Sequence, residues 1–102
     1  MGTFALIYSG GSMAPTPEEQ QAVMQAWTEW FGTLGDAVVQ VGNPFGASAS
    51  VSGDGIGRPG ALGASGYSVI RADSLDDAAG MAKGCPIIAG GGAVDVYEAL
   101  EM

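Results

Sequence analysis

Residues 66–78 read GYSVIRADSLDDA, and this stretch decides the fold. Its first part, residues 66–72, is a short run rich in β-favouring residues, which predicts a strand. Ser74 then stands where a helix N-cap is expected, and two aspartates follow in the first turn, where the helix dipole favours anions. Gly84 ends the predicted helix and Pro86 prevents its continuation. The buried face of this helix is predicted to consist of four apolar residues, Leu75, Ala78, Ala79 and Ala82.

The N-terminal part of the chain repeats the same plan of a strand followed by a helix. Residues 3–9 form an apolar run that predicts a strand. Thr16, Pro17 and Glu19 together form a helix start with a capping box, and the helix is expected to cover residues 17–34. One face of this helix is predicted to be buried against the sheet through four residues at helical spacing, Val23, Trp27, Phe31 and Leu34. Trp27, Trp30 and Phe31 together carry much aromatic bulk for one small core. Part of this stripe is therefore a candidate subunit interface.

Residues 42–66 interrupt this regular plan, because eight of these 25 residues are glycine. No helix is expected at that density. Within the segment, residues 47–52 alternate between small apolar and polar residues, which predicts a half-exposed strand, and a loop is expected over 56–65. Further strands are predicted over residues 36–41 and 93–99.

The predicted order is β-α-β, an inserted hairpin-like strand, and a second β-α-β. Two split βαβ halves in about 100 residues favour an α+β, ferredoxin-like sandwich. We expect an antiparallel sheet with residues 3–9 and 66–72 as its central strands and with two helices on one face. All 102 residues are expected to form one domain, with residues 42–66 as its insertion.

Charge and cysteine content limit the partners and the compartment. The chain has 3 basic and 11 acidic residues and a net charge of −8, so nucleic acid and anionic membranes are not expected as partners. The longest N-terminal apolar run is too short for a membrane span or a signal peptide. Cys85 is the single cysteine and is expected to be buried; with no internal disulfide available, the prediction is a cytoplasmic protein.

The residue types that are missing exclude several chemistries. The chain contains no histidine, which excludes Ser-His-Asp and Cys-His catalysis within it as well as histidine-based zinc sites. We therefore expect neither a metal nor another cofactor. Residues 55–60 match the pattern G-x-G-x-x-G, but no helix can open at the last glycine, so a loop is favoured over a nucleotide site.

Four short motifs resemble the YCII-related family, and particularly its DGPF branch. These motifs are Gly66-Tyr67, Asp73-Ser74-Leu75-Asp76-Asp77-Ala78, Gly84-Cys85-Pro86 and Val94-Asp95-Val96. The resemblance implies a ferredoxin-like fold that pairs into a dimeric α+β barrel with a cavity between the sheet and its partner. It also implies small-molecule enzymology through a His–Asp pair, for which this chain lacks the histidine. Asp54-Gly55 stand where the branch signature is expected, with Ile56-Gly57 in place of Pro-Phe.

The ligand site predicted from these residues consists of Tyr8, Asp54, Tyr67 and Arg71. Arg71 is expected either to pair with a carboxylate such as Asp95 or to line a cavity, because an arginine is rarely buried alone. The resulting hypothesis is a cytoplasmic, YCII-like protein that holds a small molecule in a sheet-lined cavity, with or without catalysis. Two alternatives stay open: a lyase-like or isomerase-like enzyme that uses a cavity carboxylate as base, and a regulatory or structural partner protein.

A homodimer is the expected assembly. Only 14% of the residues are charged, against about 25% in typical domains. A sheet with helices on one side also leaves its other side without helices, and that side is predicted to be partly apolar. Pairing two such sheets about a two-fold axis would bury both apolar surfaces.

Overall fold

A computed structural model describes residues 2–10, 15–58, 60 and 62–100. The regular elements follow in the order β1 (Gly2–Ser9), α1 (Pro17–Leu34), β2 (Val38–Gln40), β3 (Ser50–Ser52), β4 (Gly55–Gly57), β5 (Ala64–Ala72), α2 (Leu75–Ala82), α3 (Pro86–Ala89) and β6 (Ala93–Ala99). Among the described residues, no helix combines the length and the apolar composition needed to cross a membrane.

Four of the strands form one antiparallel sheet in the order β2-β5-β1-β6. With the short insertion left aside, this is the strand order of a ferredoxin-like fold, and β1 and β5 are its central strands. The predicted fold class is therefore confirmed. Strands β3 and β4 form a separate hairpin within the insertion, where Val51 pairs with Ile56. The described part of residues 42–66 contains no helix, as expected.

Local sequence signals place both long helices. The Thr16 side chain accepts a hydrogen bond from the Glu19 backbone N–H over 3.2 Å, and Ser74 does the same for Asp77 over 3.1 Å. Each bond satisfies a backbone donor that the first turn of a helix leaves unpaired. Helix α1 covers the predicted residues, and β6 also has the predicted bounds.

Several element boundaries differ from the sequence prediction. A 3-10 turn over Gly35–Ala37 delays the start of β2 to Val38. Strand β5 begins at Ala64, inside the predicted loop over 56–65, and β4 occupies residues 55–57 in the same region. Pro59 and Ala61 of that loop lie outside the described residues. The one-turn helix α3 was not expected; Pro86 occupies its first turn, where its missing N–H costs nothing.

The helices cover one side of the sheet, and the core lies between them. Along β1, buried residues alternate with half-buried ones, as a strand with one covered face requires. The core consists of Phe4, Leu6, Tyr8, Trp30, Ile70, Ala72, Ala78, Ala82 and Cys85. The burial predicted for Cys85 is thus confirmed. The other side of the sheet is open, and the chain measures 43 × 42 × 18 Å along its principal axes.

The predicted buried face of α1 is only partly correct. Trp30 is the buried residue of this helix, at 6% exposure, whereas Trp27, Phe31 and Leu34 are half-buried. Val23, predicted to be buried, is 45% exposed. The described residues up to position 25 of α1 are all exposed, so the core covers only the C-terminal half of the helix. The spacing identified the apolar stripe correctly but not the length of helix that the core covers.

The predicted buried face of α2 also needs correction. Ala78 and Ala82 are buried, but Leu75 and Ala79 are exposed. Leu75 is the first residue of a helix of only 8 residues and lies at its end, beyond the packed region. Of the predicted face, the core therefore contains Ala78 and Ala82, which stand four residues apart on the helix.

Candidate functional site

A cavity of about 500 Å³ opens between α1 and the helix-covered side of the sheet. Its size lies within the range that is usual for small-molecule sites. The lining residues come from α1, from the two central strands, from the segment that follows β2 and from α3. They are Tyr8, Met24, Trp27, Thr28, Phe31, Val41, Gly42, Asn43, Pro44, Ser65, Gly66, Ser68 and Ile87.

One wall of the cavity is aromatic. Trp27 and Phe31 stand four residues apart on α1 and therefore share a face, with ring centroids 5.9 Å apart. The ring planes of Trp27 and Tyr8 are nearly perpendicular, at 83°, and their centroids lie 5.0 Å apart. Aromatic pairs favour this edge-to-face geometry. The three rings thus form a rigid apolar surface.

The segment that follows β2 forms another part of the cavity lining. Gly42 has φ 80°, and a Cβ atom at this position would overlap the carbonyl oxygen of Tyr67. Only glycine allows so close an approach in this conformation. Two backbone bonds hold the segment against β5, one from Tyr67 N–H to Asn43 O over 3.2 Å and one from Phe45 N–H to Ser65 O over 2.8 Å. The segment that follows β2 is therefore held close to β5 where it lines the cavity.

A chain of hydroxyl groups lies at the buried side of the cavity. The Tyr8 hydroxyl donates to Ser68 Oγ over 2.7 Å, and Ser68 donates in turn to the Val41 carbonyl over 2.5 Å. Burial raises the pKa of Tyr8 to about 12, although the Ser68 hydrogen bond lowers it in part. Tyr8 is therefore a neutral phenol at physiological pH, and its hydroxyl is a hydrogen-bonding group without charge.

The structure does not bring the four predicted site residues together within one chain. Tyr8 lines the cavity on the helix-covered side of the sheet. Tyr67 and Arg71 lie on the open side, since Tyr67 pairs with Ile7 and side chains alternate along each strand. Asp54 lies in the exposed turn between β3 and β4. Because side chains alternate along the strands, the four residues do not form a single ligand site within one chain. A binding role for each residue separately stays a prediction.

The expected ion pair between Arg71 and Asp95 is also corrected, whereas a place for Arg71 in a cavity between two paired sheets stays a prediction. Arg71 is exposed and is not among the residues that line the cavity. Across β1 it pairs with Thr3, whereas Asp95 pairs with Ile7. Four residues of strand separate these positions by about 13 Å along the chain direction. An ion pair between Arg71 and Asp95 is therefore not formed within the sheet.

Sequence reasoning missed Ser68 and the cavity role of Trp27 and Phe31. A signal for Ser68 was present, because positions 66, 68, 70 and 72 share the helix-covered side of β5, and a serine there interrupts an otherwise apolar or small series. Ser68 is fully buried, at 0% exposure. A polar residue at such a position needs hydrogen-bond partners, and these partners are found at the cavity.

Comparisons with known proteins identify a solved structure with a similar fold. No protein-family model matches this chain, and no curated protein sequence matches it either. Among solved structures, the chain is similar to 5-chloro-2-hydroxyhydroquinone dehydrochlorinase (TftG) from Burkholderia phenoliruptrix AC1100, in its complex with 2,5-dihydroxybenzoquinone. The TM-score is 0.58 at 18% sequence identity, over 97% of this chain and 95% of that one. This similarity shows that the two proteins share a fold over nearly their whole length.

Proposed function

We propose that this protein binds a small, mostly apolar ring compound in the cavity between α1 and the sheet. The observation that carries the proposal is the mainly apolar lining of the cavity, in which Tyr8, Trp27 and Phe31 form an aromatic wall. A planar ligand can pack against the ring faces and edges of this wall, and an apolar cavity of this size is typical of small-molecule sites.

The structural neighbour supports this class of ligand. Its complex contains 2,5-dihydroxybenzoquinone, which is a small ring compound. Membership of this chain in the YCII-related family is part of the proposal, and it is supported by the shared fold and by the four sequence motifs described above.

Binding without a carboxylate base is the form of the function that the cavity favours. None of the described residues that line it is an aspartate or a glutamate. Tyr8 is the ionisable group among them, and burial keeps it protonated by raising its pKa to about 12. A lyase-like or isomerase-like reaction would need a base near the operating pH at this position. We therefore place the ligand in the cavity without assigning a reaction to it.

The proposal includes a homodimer that pairs the open sides of two sheets. Ile7 and Val69 are half-buried on this side, and Tyr97 is 60% exposed there. A second copy related by a two-fold axis would cover these apolar groups in both subunits at once. A cytoplasmic location completes the proposal; a single cysteine, which is buried as a thiol, is compatible with a reducing compartment.

Ring binding is tested by NMR titration of the ¹⁵N-labelled protein with three naphthalene-sized probes: 2-naphthol, 2-methoxynaphthalene and 2-naphthoate. We expect at least one of them to shift the Trp27 indole and Gly66 amide signals. Thr28→Trp places a large side chain at the cavity and should abolish these shifts. Thr33→Trp is the matched control, because Thr33 is exposed on the same helix and does not line the cavity. Shifts that persist in Thr28→Trp, or no shifts with any probe, would reject the cavity as the binding site.

A further inference from the structure

We propose that the cavity selects a neutral ligand that donates a hydrogen bond at its buried end, and that it excludes anions. This inference rests on the binding function proposed above and adds the hydrogen-bonding polarity and charge of the ligand. It follows from the direction of the hydrogen bonds in the cavity wall and from the placement of the basic residues.

The carbonyl group of Val41 determines the direction of the hydroxyl chain. A carbonyl oxygen has no hydrogen to give, so Ser68 must be the donor in their 2.5 Å contact. A serine hydroxyl has one hydrogen, and it is therefore not available to Tyr8. In the 2.7 Å contact between the two hydroxyls, Tyr8 must consequently donate and Ser68 must accept. Any ligand group that meets the Tyr8 hydroxyl meets a lone pair and not a hydrogen.

A third lining hydroxyl has the same polarity. Thr28 Oγ1 donates its hydrogen to the Met24 carbonyl within α1 over 3.0 Å. The hydroxyl hydrogens of Tyr8, Ser68 and Thr28 are thus all donated to the protein itself, and the groups can only accept further bonds. Of the other lining side chains that carry a donor, Trp27 and Ser65 are half-buried and Asn43 is exposed, so the donors for a ligand acceptor lie outward of the buried Tyr8 and Ser68. The ligand is oriented with its donor group inward.

The charge of the chain adds a second selection. Arg58, Arg71 and Lys83 are its basic residues, and none of them is among the residues that line the cavity. An anionic group placed against Tyr8 would meet lone pairs, lose its water and find no described cation in the wall, which is an unfavourable transfer. The net charge of −8 repels anions further. A hydroxyl-bearing neutral ring satisfies both conditions, whereas a carboxylate satisfies neither.

The three naphthalene probes test this inference at about pH 6.5, where an aromatic hydroxyl is neutral and a carboxyl group is ionised. They share one ring system and differ in the group they offer to Tyr8: a donor, a methylated oxygen without a hydrogen, and an anion. We expect 2-naphthol to bind about tenfold more tightly than 2-methoxynaphthalene, as one added hydrogen bond predicts. We expect 2-naphthoate to bind at least about tenfold more weakly than 2-naphthol.

Two variants assign the selectivity to the hydroxyl chain. Tyr8→Phe removes the acceptor at the buried end, so the preference for 2-naphthol over 2-methoxynaphthalene should fall to about onefold. Ser68→Ala releases the Tyr8 hydrogen, so Tyr8 can donate and the same preference should shrink in a protein that keeps the tyrosine. Tyr97→Phe is the matched control on the open side of the sheet and should retain the full preference.

The outcomes separate this inference from the binding function on which it rests. Equal binding of 2-naphthol and 2-methoxynaphthalene, or tightest binding of 2-naphthoate, overturns the inference and leaves ring binding intact. A preference that survives unchanged in both Tyr8→Phe and Ser68→Ala also overturns it. Failure of all three probes to bind overturns the inference together with the proposed function.

Discussion

Tyr8 and Ser68 connect the two central strands through their side chains as well as through the backbone. Tyr8 lies opposite Gly66 in the register, and its hydroxyl donates to Ser68, two residues further along β5, over 2.7 Å. Because Ser68 also holds the Val41 carbonyl, the pair links the sheet to the segment that forms one wall of the cavity. The same bond therefore contributes to the stability of the fold and to the polarity of the site.

The first prediction concerns the titration of Tyr8. Its pKa is raised from 10.0 to about 12 in the folded protein, so the folded state holds the proton more tightly than the unfolded state does. The associated stability is fully present below pH 10 and is lost as the pH rises through about 12. The loss is on the order of 3 kcal/mol. Absorbance titration near 295 nm should show a late-ionising tyrosine that is missing in Tyr8→Phe; completion of all tyrosine ionisation by about pH 11 would contradict this.

The second prediction compares two glycine-to-alanine substitutions of opposite sign. Gly42→Ala should destabilise the protein by more than about 3 kcal/mol, since φ is positive and the new Cβ would overlap Tyr67 O. Gly32→Ala should stabilise it by about 0.5–1 kcal/mol, because Gly32 lies within α1 and its Cβ would meet nothing within 4 Å. Urea denaturation measures both changes in the free energy of unfolding. Similar effects of the two substitutions would show that the Gly42 segment is not held against β5.

The third prediction separates the two tryptophans of α1. Trp30 is 6% exposed and its indole N–H donates to the Met81 carbonyl over 3.1 Å. Trp30→Ala should therefore cost about 3–5 kcal/mol in the free energy of unfolding. Trp27 is half-buried against the cavity, and Trp27→Ala should cost roughly 1–2 kcal/mol. Chemical denaturation of both variants is the measurement, and a larger loss for Trp27 than for Trp30 would contradict the placement of Trp30 in the core.

The fourth prediction concerns assembly through the open side of the sheet. Sedimentation equilibrium at micromolar concentration and about 0.15 M salt should give twice the 10.2 kDa chain mass. Ile7→Lys places a charge at the centre of the open side and should shift the protein to the monomer. Val51→Lys is the control, because Val51 is strongly exposed on the separate β3–β4 hairpin. A wild-type protein at the monomer mass would reject the dimer.

The fifth prediction separates the cavity from the site that the sequence predicted. Arg71→Gln and Asp54→Asn should change the affinity for 2-naphthol by less than about twofold, since neither residue lines the cavity. Tyr8→Phe should weaken the same binding by about tenfold. NMR titration of the three variants provides the comparison. A loss of tenfold or more in the Arg71 or Asp54 variant would place that residue at the ligand, across a subunit boundary or through a change of the hairpin.

The sequence determined the fold because the fold depends on local rules. Alternating and helical spacings showed which residues share a face, and the Thr16 and Ser74 caps set the helix starts. Glycines excluded a helix from the described part of residues 42–66. The order of these elements was sufficient for the split βαβ plan and for its two central strands.

Only the tertiary structure decided what covers each face and which side chains meet. Periodicity placed Val23, Trp27 and Phe31 on one stripe, but it carried no information that the core covers only the C-terminal half of α1 and that a cavity opens beside Trp27 and Phe31. Tyr8 and Ser68 are 60 positions apart in the chain, and their contact depends on the register between β1 and β5. A shift of that register by one residue would turn Ser68 to the open side. The hydroxyl chain at the cavity is therefore a property of strand pairing, which local sequence rules do not determine.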